Sequence, residues 1–334
     1  MEWLYIARIV STFAVIVLHI SAYTVALADL GTFSWWAGNL YDSLVRWCVP
    51  VFIMISGALL LSPGKVESLS VFYKKRIGKI LVPLLFWSFF FILWSLGKAK
   101  FNGGGEGDIL KNIMNGRPYY HMWFLYMIIG LYIFNPLIKV LVANTSEERL
   151  LFFVFLMFMF CSLSDMYNFF AGNDDFLFLG EFIYYIPYYI LGHLIARKHT
   201  AKPLSLHIIL FLISLALTSF GFYFLSSISG KEAGLYFYNY LSFNVILMSV
   251  SFMWILKFSH LSKSHSNKLK FLSDISLGVY LIHPVFIEVF YYLAARRWVD
   301  YSLIAIPLMS VIVFICCIVS VFFIKKVPYL RRVV

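Results

Sequence analysis

Charged residues are clumped along this chain, and between the clumps lie ten stretches free of Asp, Glu, Lys and Arg. They are Ile9–Ala28, Trp47–Gly64, Ile80–Gly97, Pro118–Ile138, Leu150–Ser164, Phe182–Ala196, Pro203–Gly230, Ala233–Leu256, Ile275–Ile287 and Tyr301–Ile324. A helix needs roughly 17–25 mostly apolar residues to cross the hydrocarbon core of a bilayer, and most of these stretches are that long. Leu150–Ser164, Phe182–Ala196 and Ile275–Ile287 are shorter, and must borrow flanking residues or thin the bilayer locally. The pattern predicts an all-α polytopic membrane protein of about ten transmembrane helices. It forms a single transmembrane domain over residues 1–334 and leaves no segment for a soluble domain. The first stretch lacks a small-residue cleavage site and contains a His, so it reads as a retained helix and not as a signal peptide.

Orientation follows from where the basic residues fall. With the N-terminus inside, the segments 64–79, 139–149, 197–202 and 257–270 and the C-terminal tail are cytoplasmic, and they hold 18 of the 27 Lys and Arg. The outer loops hold seven, while Asp165, Asp174, Asp175 and Glu181 gather in one of them. An N-in, C-in arrangement is expected. The longest outer connections are Lys98–Tyr120, with a flexible Gly103-Gly104-Gly105, and Asp165–Gly180.

Composition agrees. A soluble domain keeps roughly a quarter of its residues charged, whereas here 13% are charged and 62% hydrophobic. The net charge of +11 is spread over loops facing anionic lipid, which accounts for it without nucleic acid. Cys48, Cys161, Cys316 and Cys317 all fall inside expected helices, with no metal spacing and no outer-loop pairs, and read as small packing residues.

Ionisable groups inside membrane helices are costly and mark function. Arg8 and His19 are eleven residues apart in the first helix, about 20° short of or past three full turns, so they share one face. Their axial separation is roughly 16 Å, which sets Arg8 near the cytoplasmic surface and His19 near mid-membrane. Such a pair suits a ligand with an anionic head at the mouth and a reactive group deeper in, and His has the pKa of a general base. Snorkelling explains Arg8 equally well when it is taken alone, and a neighbour's hydrogen bond explains His19. Arg76 and Lys79 lie on one side of a helix start; they read as a positive-inside anchor or as phosphate ligands. Pro50 and Ser56-Gly57 interrupt the second helix, where small residues admit a close neighbour. His121-Met-Trp123 opens the fourth helix at the outer surface, and an aromatic belt accounts for Trp123. Ser276, Tyr280 and His283 form a polar stripe at i, i+4 and i+7 in the ninth helix, either interhelical glue or part of a site. Glu288 lies about 140° around the helix from His283 and is not an obvious partner.

Taken in order, Arg8-x10-His19, Val49-Pro-Val-Phe-Ile-Met-Ile-Ser-Gly57, Arg76-Ile-Gly-Lys79 with Pro83, His121-Met-Trp-Phe-Leu125 and Ser276-Leu-Gly-Val-Tyr-Leu-Ile-His283 resemble the bacterial acyltransferase family 3 over essentially the whole chain. The resemblance implies a ten-helix enzyme moving an acyl group from cytoplasmic acyl-CoA to an extracytoplasmic or lipid-linked sugar. No cofactor is held and no metal is used; acetyl-CoA is a co-substrate. It further implies His19 as catalytic base with Arg8 as its motif partner, and Arg8, Arg76 and Lys79 as acyl-CoA-binding residues. Ser56, His121, Trp123, Tyr280 and His283 are the supporting candidates. The family usually has two arginines where this chain has Arg76 and Lys79, so one fork of bidentate hydrogen bonds is replaced by a point charge. The expected partners are acyl-CoA, a surface glycan or lipid-linked sugar acceptor, and membrane lipid. An O-succinyltransferase is the nearest alternative, and composition alone fits an exporter or flippase for a polysaccharide or lipid-linked sugar. Acceptor-facing residues are expected in the outer segments, at Asp165–Glu181 and at Trp35-Trp36.

Overall fold

The computed structural model describes residues 2–62, 67–102, 109–172, 178–198, 203–258, 266–294 and 297–334. The glycine run 103–105, Asp174 and Asp175, and parts of the basic segments 64–79, 197–202 and 257–270 lie outside the described residues. In chain order the helices are α1, Trp3–Leu27; α2, Phe33–Val45; α3, Cys48–Leu60; α4, Leu69–Asn102; α5, Ile109–Met114; α6, Trp123–Ala143; α7, Glu147–Ala171; α8, Ile186–Arg197; α9, Leu204–Ser229; α10, Lys231–Gly234; α11, Phe243–Phe258; α12, Ser266–Ala294; and α13, Ser302–Lys326. No strand occurs among the described residues.

Nine helical segments among them are long and apolar enough to cross a membrane. The tenth expected crossing, 182–196, is a 3-10 helix, Phe178–Tyr185, running into α8. Helices on the outside of the bundle are apolar on their free faces as well as on their packed ones. Phe152, Phe155 and Phe160 of α7 and Ile304, Ile315 and Phe323 of α13 are all more than half exposed. A helix apolar all round belongs in lipid, so the bundle is a multi-pass membrane protein.

The second crossing differs from expectation. It begins at Phe33, not Trp47, because α2 and α3 continue one another with a break at Arg46-Trp47. Asp42 and Arg46 interrupt the charge-free pattern there, yet both are inside the bundle and paired at 2.6 Å. Four residues apart, they meet on one face of the helix. This corrects the placement of Trp35-Trp36 in an outer loop: both are in α2, and Trp35 is fully buried against Phe222 of α9.

Polar side chains tie these helices together without facing lipid. Asn39 of α2 donates to the Ser219 carbonyl and hydroxyl of α9 at 3.0 and 3.1 Å and accepts from Tyr238 at 2.6 Å. Asn244 of α11 donates to Thr218 of α9 at 2.8 Å. In the absence of a hydrophobic force between membrane helices, such bonds and close backbone packing supply the association. The closest packing joins α3 to α8. A Cβ on Gly57 would stand 1.8 Å from the Tyr189 carbonyl oxygen, and one on Gly192 would stand 2.0 Å from that of Met54. Only glycine allows the two backbones to meet in this way. The four cysteines are free.

Candidate functional site

Helices α1 and α12 run side by side in parallel. Arg8 Nη1 donates to Ser273 Oγ at 3.3 Å, and one helix length further on the His19 ring stacks on His283 with centroids 5.1 Å apart. The separations of eleven and ten residues on the two helices keep both pairs in register. Arg8 and His19 therefore do share a face, and the polar stripe Ser276, Tyr280 and His283 faces them from α12, buried throughout.

At the Arg8 end, a groove of ≈ 320 Å3 is lined by Arg8, Ser56, Arg76, Lys79, Tyr132, Ser276 and Tyr280, with Asp274 as its one carboxylate among the described residues. Arg8 comes from α1, Arg76 and Lys79 from α4, so two helices distant in sequence deliver three cations to one opening. Arg76 Nε is buried and makes no hydrogen bond among the described residues. The adjacent Lys75 is occupied elsewhere, hydrogen-bonded to Glu67 at 2.6 Å. That bond holds the Glu67 carboxyl below its ordinary range. Ser56 lines the groove and donates to the Phe52 carbonyl of its own helix at 3.0 Å.

The deep end of the groove is closed by a cluster that sequence spacing did not foretell. His19 of α1, His121 before α6 and His283 of α12 converge: His121 lies 5.3 Å from His283 between ring centroids. The Tyr280 hydroxyl donates to the His121 carbonyl, and His283 Nδ1 stands 2.6 Å from the Tyr280 carbonyl. His121 is thus not at the outer surface as expected. It is 1% exposed, and His283 is fully buried, whereas His19 keeps accessible surface. No group of His, Cys, Asp and Glu among the described residues has the geometry to hold a metal ion.

On the far side of the cluster, the Tyr120 ring lies 4.8 Å from His19, edge to face. Tyr120 also lines a second cavity of ≈ 420 Å3, with Arg117, Trp123, Asp165, Glu181, Tyr185, Asn239 and Tyr240. Trp123 stacks on Tyr240 at 5.8 Å, and Arg117 faces Glu181 at 3.7 Å. Behind this cavity the buried Arg46 sits 3.9 Å over the Tyr238 ring and donates to its carbonyl at 3.3 Å. Glu288 accepts from Trp94 at 2.8 Å and Lys98 at 2.9 Å and is bonded to Tyr119. It thereby pins the segment carrying Tyr120 and His121 against α4 and α12, and it is not a partner of His283.

Of the residues singled out in the sequence, the structure gathers Arg8, Ser56, Arg76, Lys79 and Tyr280 around the groove, sets His19, His121 and His283 together beside it, and places Trp123 on the other cavity. Tyr120, Tyr132, Ser273 and the Asp42–Arg46 pair were not singled out. Tyr120 carried no signal beyond its place beside His121, in a chain with 22 tyrosines.

A helical membrane bundle with a polar cluster at its centre and a cavity toward each end defines the general class. Within it, the chain belongs to acyltransferase family 3: the family model described as an acyltransferase domain matches residues 1–324. No curated protein and no solved structure matches the chain. Acyl transfer in a multi-pass membrane protein is thereby the activity of its family.

Proposed function

We propose that this protein is an O-acetyltransferase of the bacterial cytoplasmic membrane, N-in and C-in, that moves acetyl from cytoplasmic acetyl-CoA to a hydroxyl of a surface or lipid-linked glycan. One observation carries the proposal. His19, which alone of the clustered histidines keeps accessible surface, lies between a cationic groove and an aromatic, carboxylate-bearing cavity.

In this mechanism the groove opens to the cytoplasm, where Arg8, Arg76 and Lys79 hold the phosphates of CoA. The Arg76 Nε left unpaired is a donor awaiting an acceptor. The pantetheine arm runs along Ser56 and Ser276 toward Tyr280, bringing the thioester beneath His19. The sugar enters from the Tyr120 side, where aromatic faces and carboxylates suit its CH faces and hydroxyls. His19 takes the proton of the acceptor hydroxyl as its oxygen attacks the thioester carbonyl. The carbon–sulfur bond then breaks, and the thiolate recovers the proton from the imidazolium. The products are an O-acetyl ester and CoA. Arg8 acts as a donor-binding residue that sets the depth of the thioester relative to His19.

The test is surface-glycan O-acetyl content, by NMR, in cells lacking the protein and complemented with wild type or His19→Ala. Acetyl signals restored by wild type but not by an equally abundant variant are expected. Unchanged acetylation with altered glycan export overturns the proposal in favour of transport. Labelled acyl groups trapped covalently on a Ser or Tyr overturn direct transfer, and a succinyl signal replaces the donor.

A further inference from the structure

Beside the groove that holds Arg8, a larger cavity of ≈ 760 Å3 opens at the same end of the bundle. The two are neighbours. Glu67 in the wall of the larger one feels the charges of both Arg76 and Lys139. Along α6, Tyr132 lines the first cavity and Lys139 the second, two turns and roughly 10 Å further on.

The larger cavity brings His193, Lys139 and Arg197 together with the carboxylates of Glu67 and Glu147. His193 lines it, is 1% exposed, and has no hydrogen-bond partner on either ring nitrogen among the described residues. A buried polar group without a partner is costly, so its retention points to a ligand. Its position is fixed, because the preceding Gly192 is pressed against the α3 backbone. The charges of Arg197 and Lys139 both act on it. The carboxylates in the wall are already satisfied, Glu67 by Lys75 at 2.6 Å and Glu147 by Lys198. Neither Lys139 nor Arg197 has an ion-pair partner among the described residues. A buried imidazole, an ammonium and a guanidinium fork together match a phosphate monoester.

CoA presents phosphate in two places, a pyrophosphate and, across the ribose, a 3′-phosphate. We infer that the second cavity holds the 3′-phosphate end of the donor through His193, Lys139 and Arg197, while Arg8, Arg76 and Lys79 hold the pyrophosphate. The inference rests on the acyl-CoA reading given above. The phosphate of a lipid headgroup has the same chemistry, and the test separates the two sources.

The experiment compares acetyl-CoA with acetyl-dephospho-CoA, which lacks only the 3′-phosphate, as donors for the full-length protein in nanodiscs of zwitterionic lipid. A charged hydrogen bond contributes about 1.5–3 kcal/mol, equivalent to a ten- to hundredfold change. The wild type is therefore expected to show a KM about tenfold or more higher for the dephospho donor, with kcat little changed. Lys139→Ala, Arg197→Gln and the milder His193→Gln should each raise KM for acetyl-CoA and leave KM for the dephospho donor where it was. Equal KM for both donors in the wild type, or variants that raise both alike, overturns the inference alone. Variants that respond only to added anionic lipid assign the site to a headgroup and overturn it too. Absence of turnover by wild type with either donor overturns the acyl-transfer reading itself, and this inference with it.

Discussion

Three imidazoles within ring contact pose a question of division of labour, and burial answers it at the level of single residues. His121 and His283 are sealed among Tyr280, Phe91 and Tyr119, while His19 keeps accessible surface and is the base of the proposed mechanism. A general base contributes about 10²–10⁴-fold. His19→Gln is therefore expected to lower kcat by that order at unchanged abundance, measured as acetyl transfer in membranes. Arg76→Ala should act on the donor side instead, raising KM for acetyl-CoA about tenfold while leaving kcat close to wild type; a charged hydrogen bond of about 1.5 kcal/mol sets that size. Each of these residues was visible in the sequence because ionisable groups in apolar helices stand out. Their convergence was not, since Tyr280 and His121 meet across 159 residues and no local spacing encodes that contact. Tyr120 was hidden for a different reason: an aromatic among aromatics has no signature until its neighbour is known.

Two features govern how the helices pair. Gly57 and Gly192 let α3 and α8 meet backbone to backbone, and any side chain there must push the helices apart. Gly57→Val is expected to lower membrane abundance and the melting temperature in detergent, with overpacking costing at least about 1–3 kcal/mol. Ser56→Val one residue away should be far milder, because Ser56 keeps accessible surface and lines the groove. The Asp42–Arg46 pair makes a different prediction. Asp42→Asn strands a buried guanidinium and should destabilise by about 3–5 kcal/mol, whereas replacing both residues by apolar ones should recover much of the loss. Detergent melting of the two single variants and the double variant checks this. The same pair explains why the second crossing was read short. Charge-free length locates membrane helices well when charges mark their ends, as with α9, and fails when a charge is cancelled inside the helix. The apolar run 182–196 was legible too, though not that its first half is a 3-10 helix; it is not among the nine segments long and apolar enough to cross.

Taken whole, the molecule has a basic end and an end bearing Tyr120, and its proposed chemistry depends on which faces the cytoplasm. Single cysteines at Asp29 or Arg117 should react with a membrane-impermeant maleimide on intact cells, and cysteines at Lys75 or Lys198 only after permeabilisation. Native background should be low, because Cys48, Cys161 and Cys317 are buried and the half-buried Cys316 lies in the middle of α13, within the apolar span. The opposite pattern overturns the N-in, C-in arrangement. The charge bias of the loops was readable in the sequence, whereas the cavities were not, because a cavity is a property of packing. Among the described residues, the groove and the Tyr120 cavity have no lining residue in common, and the histidine and tyrosine rings fill the space between. In the proposed mechanism an acetyl group changes sides by passing from one molecule to another, without the two cavities joining. A variant such as Tyr120→Gly that thins this partition is then expected to leak, seen as faster proton entry into dye-loaded vesicles than with the wild type.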